Sequence, residues 1–431
     1  MTDSVKRGLR DHLLLHFGQH AKLRDGEYPL VIDRAEGVHV IDTDGRRYLD
    51  ALSCLFCAQL GYSYGDEFAE AATAQLKRLP FNTNWNTAHP PAIELAERLA
   101  GLAPDGINRA FFTSGGSEAV ESAWKIARQY HVANGQPERV KAVARRTAYH
   151  GQTLGALALT GIPALKDPFG PPAIDVARVP NTGEGDLEFL LRETEETIIA
   201  ADPGTIGMLI AEPVQNAGGC FTPPTGYWAG LRELADRYGF LLVADEVITG
   251  FGRIGEYFAV PEVVPDMITI AKGLTSAYAP MGAVLVSDRV AEPYFRPGQA
   301  LSHGITFGGH PLAAAIALRN LEIFERDKIL DGVRELAPHL RRRMHELHRL
   351  DVVKDVRGDG FFYAAELDLA DPAQIKGAIP RRLREVGLIA RADDRGAPVV
   401  QIAPPLVCER EHLDEIVDKI GNVLGEFLQE H

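Results

Sequence analysis

Cysteine is scarce in this chain, with four residues in 431. That excludes a disulfide-stapled secreted scaffold, which needs a dense and closely spaced set. Cys54 and Cys57 form a C-x-x-C within "SCLFCA". A redox or zinc reading of that pair needs a βαβ context or a second close pair, and Cys220 and Cys408 stand far apart. Buried small hydrophobes are therefore the expected role of the cysteines. An excess of positive charge is also missing. With 45 Lys and Arg against 59 Asp and Glu, the formal net charge is -14. Such a surface repels polyanions, so neither nucleic acid nor an anionic membrane is an expected partner. Long apolar runs are absent too: no stretch nears the roughly 18 residues that would read as a bilayer span. The start, "MTDSVKRGLRDHLLLHFGQH", has too short an apolar centre for a signal peptide, so a cytoplasmic location is expected. No repeat, low-complexity tract or flexible linker is visible.

Alternation of β-rich runs with helical stretches fills residues 105–290. "RAFFT" precedes "SGGSEAVESAWKIARQYHVANG", and "TIGMLIAEP", "FLLVADEV", "DMITIAKG" and "GAVLVSD" follow further on. This pattern predicts an α/β domain with a mainly parallel sheet. We place that large domain at residues 51–318. The last hundred residues mix long helices with the strand-like "VVKDVRGDGFFYAAEL". Residues 1–50 and 319–431 are expected to form a smaller, discontinuous α+β domain. Its "RGDG" reads as a tight turn between strands.

In an open α/β sheet, ligands bind just outside the carboxyl ends of the strands. Five such ends carry reactive groups: "TSGGSE", Tyr149-His150-Gly151, Glu212, Asp245 and Lys272. "SGGSE" opens a helix, whose free N–H groups suit an anion. Asp245 closes an apolar run and needs a buried positive partner to stay ionised. Lys272 closes another, where a lysine beside an anion site suits Schiff-base chemistry. A phosphate cradle, an acid for a ring nitrogen, an aromatic for stacking and a lysine are the parts that hold pyridoxal 5'-phosphate. "GFGRIG", Gly250 to Gly255, satisfies G-x-G-x-x-G, but Pro261 and Pro265 follow closely and forbid the helix that a dinucleotide fingerprint requires.

Taken together, "FFTSGGSEAVESAWK", "YHG", "AEPVQNAGG", "ADEVITGFGRIG", "IAKGLTSAYAPMGA" and "GITFGGHPLAAA" resemble the class III aminotransferases. Within that class they are most similar to the ω-amino acid or amine:pyruvate transaminases, from about Tyr48 to the C-terminus. The resemblance implies an aminotransferase-like fold (fold type I), a pyridoxal 5'-phosphate cofactor and no metal. It also implies ping-pong transfer of an amino group from an amine or ω-amino acid to an oxo acid such as pyruvate. Lys272 is then the cofactor lysine and proton shuttle, and Asp245 pairs with the ring nitrogen. Val247 and Tyr149 pack on the two ring faces, and Gly116 and Ser117 take the phosphate.

Thr306 matches a threonine that reaches the phosphate from a neighbouring subunit, implying a homodimer or higher homo-oligomer with shared sites. Arg391 matches the arginine that grips the oxo acid's carboxylate, with Arg395 as the nearby alternative. Phe56 and Trp85 fall at aromatic pocket walls. Ile248 and Ala217 stand where ornithine- and GABA-type members carry a glutamine and a gating glutamate, which favours the pyruvate-using type. A racemase or aminomutase on the same fold is the alternative.

Overall fold

The computed structural model describes residues 1–172, 174–260, 263–369 and 372–430. Near the N-terminus, β1 (Ile32–Glu36), β2 (His39–Asp42) and β3 (Arg47–Asp50) form an antiparallel meander. Seven strands then build the central sheet: β4 (Ile107–Thr113), β5 (Lys141–Arg145), β6 (Val176–Val179), β7 (Ile206–Ala211), β8 (Leu241–Asp245), β9 (Met267–Ile270) and β10 (Gly282–Ser287). Their spatial order is β4-β10-β9-β8-β7-β5-β6. The pairings from β9 through β6 are parallel, and β10 alone runs against both its neighbours. The mainly parallel sheet expected from the sequence is therefore present.

Every residue of β7, β8, β9 and β10 is buried or nearly so. That explains their unbroken apolar runs, because a strand covered on both faces has no polar side to show. Successive side chains serve opposite layers. Met208, Ile210 and Val243 pack with Ala119, Val120 and Trp124 of the helix Gly116–Ala133. Leu209, Leu242 and Ile268 pack with Trp228 and Leu231 of the helix Tyr227–Tyr238 on the other face.

The C-terminal part contributes β11 (Val353–Asp359), β12 (Phe362–Leu367), β13 (Leu388–Ile389), β14 (Arg391–Asp393) and β15 (Val399–Ile402). Four of these make an antiparallel sheet in the order β11-β12-β15-β14. The fifth, β13, pairs in parallel with β3 and ties the N-terminal meander to the end of the chain. One continuous helix, Pro311–Arg326, runs through the boundary placed between 318 and 319. The "GFGRIG" stretch forms turns, and no helix starts at its glycines. Pro261, invoked against that helix, lies outside the described residues, whereas Pro265 is in irregular chain. No described helix is long and apolar enough to cross a membrane.

Candidate active site

The carboxyl ends of the parallel strands converge on one cavity of about 160 Å³. Gly116, Ser117, Tyr149, Asp245, Val247 and Lys272 all line it, so sequence positions spread over more than 150 residues meet there. Two of the five strand ends are looser than expected. Lys272 comes two residues after β9, and Tyr149 comes four residues after β5.

The helix Gly116–Ala133 begins at the cavity, presenting its unpaired N-terminal amides. A side chain at Gly116 would sit 3.0 Å from Val247 Cγ1, so the close approach of helix and loop favours glycine. Ser117 Oγ accepts the Gln152 amide at 3.0 Å, which fastens the Tyr149 loop to the helix start.

Asp245 is buried and well held. Thr269 Oγ1 donates to its Oδ1 at 3.0 Å, and the Val247 amide donates to the same oxygen at 3.2 Å. His150 Nδ1 lies 2.7 Å from Oδ2. An ionised carboxylate only accepts, so Nδ1 carries the hydrogen. His150 is thus a buried hydrogen-bond partner of Asp245, a pairing that the spacing along the chain does not show. Glu212 is buried next to this pair. It accepts the amides of Tyr149 at 3.4 Å and Asn216 at 3.0 Å, and burial pushes its pKa up.

Lys272 is half-buried as a residue, and its ammonium is the desolvated end. Burial pushes its pKa down, an effect opposed by Cys57 and Asp245 and reinforced by Arg391. Its ammonium makes no hydrogen bond to a described residue, and it lies 5.4 Å from the Phe56 ring centroid. Its φ of 33° is a strained value for a side-chain-bearing residue. Phe56 itself is buried, at φ 63°, on a turn where Ser53 and Cys54 are also left-handed. Asp50 accepts the Leu52 and Cys54 amides at 3.0 and 2.8 Å and holds that turn. Arg391 faces the same ring, its Cζ 5.7 Å from the Phe56 centroid, and Arg395 lies 5.8 Å from the Tyr149 ring.

Phe56 and Arg391 stand beside Lys272 without lining the cavity itself, and two further positions, Trp85 and Thr306, lie away from it. Trp85 is 57% exposed and lines a separate, larger cavity of about 730 Å³ with His303 and Ile305. Trp85 is therefore not a wall of its own chain's Lys272 cavity: its loop packs against the 301–308 segment instead. Thr306 is exposed in that same segment. The larger cavity contains none of the groups around Lys272. The cysteine expectation also needs correction: Cys220 and Cys408 are buried, but Cys54 is exposed and Cys57 only half-buried. The left-handed turn directs Cys54 outward, which the C-x-x-C spacing does not reveal. Asp393, which pairs with both arginines, was missed. Only its two-residue spacing from Arg391 on a strand hinted at it.

Comparison with known proteins identifies the family. The family described as aminotransferase class-III matches residues 21–424, and the chain belongs to that family. It is thus a pyridoxal-phosphate-dependent aminotransferase with the type I fold of such enzymes. A probable aminotransferase of Mycobacterium tuberculosis is 47% identical, the alignment covering 96% of this chain and 92% of that one. A putrescine–pyruvate aminotransferase of Pseudomonas aeruginosa is 38% identical, with 95% and 93% covered. The crystal structure of an ω-transaminase from Pseudomonas jessenii in complex with PMP superposes with a TM-score of 0.91 at 31% identity, covering 99% of both chains.

The residues present fit the family's cofactor. His150 Nε2 is buried and has no hydrogen-bond partner among the described residues. A desolvated lysine, a buried carboxylate and an open helix N-terminus face the same space. These are the groups that an aldehyde, a ring nitrogen and a phosphate need.

Proposed function

We propose that this enzyme moves an amino group from an amine or ω-amino acid to pyruvate. Lys272 would anchor the cofactor, with Asp245 against its ring nitrogen and Gly116 and Ser117 at its phosphate. When bound, pyridoxal 5'-phosphate supplies an electron sink and a carrier for the amino group. Lys272 Nζ, desolvated and short of partners, moves a proton at the substrate carbon. Asp245, held by His150 and Thr269, keeps the ring nitrogen's proton in place. Tyr149 and Val247 close the two ring faces and exclude water. Arg391 binds the oxo acid's carboxylate through its planar, bidentate guanidinium.

The observation that carries this reading is the placement of Lys272 and Arg391 on one aromatic ring, 5.4 and 5.7 Å from the Phe56 centroid. An amine-handling group and a carboxylate-handling group are thereby within one substrate's reach. The names of the relatives, an ω-transaminase and a putrescine–pyruvate enzyme, support the same donor and acceptor classes.

Thr306 and Trp85 would serve the partner subunit of a homodimer, since both are exposed outside their own chain's site. The large domain at 51–318, the smaller one at 1–50 and 319–431, and action in the cytoplasm belong to the same reading. A screen of amine donors with pyruvate as the fixed acceptor tests it. Alanine should form in step with loss of donor, and isomerised donor without alanine would refute it.

A further inference from the structure

Arg391 and Arg395 share one carboxylate, and they share it unequally. Arg391 and Asp393 stand two residues apart on β14, so both side chains leave the same face of the strand. Asp393 is 6% exposed. Arg395 grips it with three contacts: Nε to Oδ1 at 2.8 Å, Nε to Oδ2 at 2.9 Å and Nη2 to Oδ2 at 2.7 Å. The Arg395 amide adds a fourth at 3.2 Å. Arg391 reaches the same carboxylate only through Nη2, at 3.2 Å. The turn that allows this grip is anchored: at Gly396, φ 113°, a side chain would meet Thr147 Cγ2 at 3.0 Å and Gly218 Cα at 3.1 Å.

Charge decides what this cluster can accept. Two guanidiniums and one carboxylate carry one net positive charge. Asp394 is already paired with Lys376 at 2.6 Å and leaves that count unchanged. Arg395 is occupied by Asp393, so the loosely held Arg391 is the group free to meet an incoming carboxylate. A second carboxylate on the same acceptor would enter a half-buried space with no cation left for it, and an unpaired buried charge is strongly disfavoured.

We propose that Asp393 sets the acceptor class: by neutralising Arg395 it restricts the oxo acid to a monocarboxylate. This rests on the reading that Arg391 receives the acceptor's carboxylate. Asp393 acts through the arginines and is a specificity-determining residue, with no part in the chemical step.

The test compares pyruvate with 2-oxoglutarate as acceptors, and propionate with glutarate as non-reacting ligands of the holoenzyme in calorimetry. The wild type should prefer pyruvate over 2-oxoglutarate at least tenfold in kcat/KM, and propionate over glutarate in binding. Equal use of both oxo acids, or equal binding of both ligands, overturns the inference without any variant. Asp393→Asn releases Arg395 and should shift both ratios at least tenfold toward the dicarboxylates. Adding Arg395→Gln to that variant restores the original charge count and should return the ratios to wild-type values. An unmoved ratio in Asp393→Asn, or a ratio still shifted in the double variant, overturns it. Arg391→Ala separates this claim from its basis. If that variant handles pyruvate normally, the acceptor reading itself fails; if it is impaired while Asp393→Asn behaves as wild type, only the role of Asp393 falls.

Discussion

His150 and Asp245, 95 residues apart in sequence, meet at 2.7 Å in the interior. The imidazole N–H keeps one carboxylate oxygen satisfied, while Thr269 and the Val247 amide satisfy the other. These bonds fix the orientation of the carboxylate and leave Oδ2 with room for one more donor, as a partner for a ring nitrogen requires.

Asp245→Asn should therefore fold normally and lose most of its turnover. The loss should be at least about a hundredfold, the lower range for a positioned proton-handling group. Steady-state rates with circular dichroism as the folding control decide this. Near-normal turnover would remove Asp245 from its assigned place.

Borohydride treatment of the holoenzyme should fix the cofactor to the peptide containing Lys272. Lys272 is the desolvated amine in the cavity, so it is the one able to be neutral and nucleophilic. Peptide mapping by mass spectrometry reads the outcome, and a label on any other lysine refutes the assignment.

Glu246 gives a pH prediction. It is buried, accepts the Ala259 and Val260 amides at 2.6 and 3.0 Å, and burial pushes its pKa up to about 7 from near 4.5. The folded state thus holds a proton that the unfolded chain has already released between those values. Stability from this group is complete below about pH 4.5, falls as pH rises, and reaches its floor above about pH 7. Glu246→Gln stays neutral and should flatten that slope. It should gain stability over the wild type as pH rises, by no more than about 3 kcal/mol. Chemical denaturation at several pH values measures it, and parallel curves for the two proteins would refute it.

Arg391→Ala should damage the half-reaction with pyruvate far more than that with an uncharged amine. Loss of a charged hydrogen-bond partner costs about 1.5–3 kcal/mol, or roughly ten- to a hundredfold. Single-turnover measurement of each half-reaction checks the asymmetry. Equal damage to both would make Arg391 structural.

Mixing Thr306→Ala with Lys272→Ala protein tests the shared site. If Thr306 completes the partner's phosphate site, a heterodimer has one site with both lesions and one with neither. Subunit exchange between the two impaired proteins should then restore some activity. Proven exchange with no recovery would place Thr306 outside the site.

Much of this protein was legible along the chain. Apolar runs with no polar side announced strands buried on both faces, and alternation with helical stretches announced the parallel sheet. Lys272 and Asp245 stood out because a charge at the end of such a run is expensive unless it has a task. These signals are local, set by side-chain periodicity and desolvation over a few residues. What only the tertiary structure decided are the meetings between distant segments. His150 reaches Asp245 because β7 alone separates β5 from β8 in the sheet. Phe56 faces Lys272 because a strained turn, held by Asp50, aims it there. Trp85 was sent to another cavity, and Cys54 to the surface, by loops whose course no spacing encodes. The grip of Arg395 on Asp393 depends on a turn docked against Gly218. A side chain's type and local period are properties of the chain, but its partner is chosen by strand order and loop packing, where distant residues compete for the same buried charge.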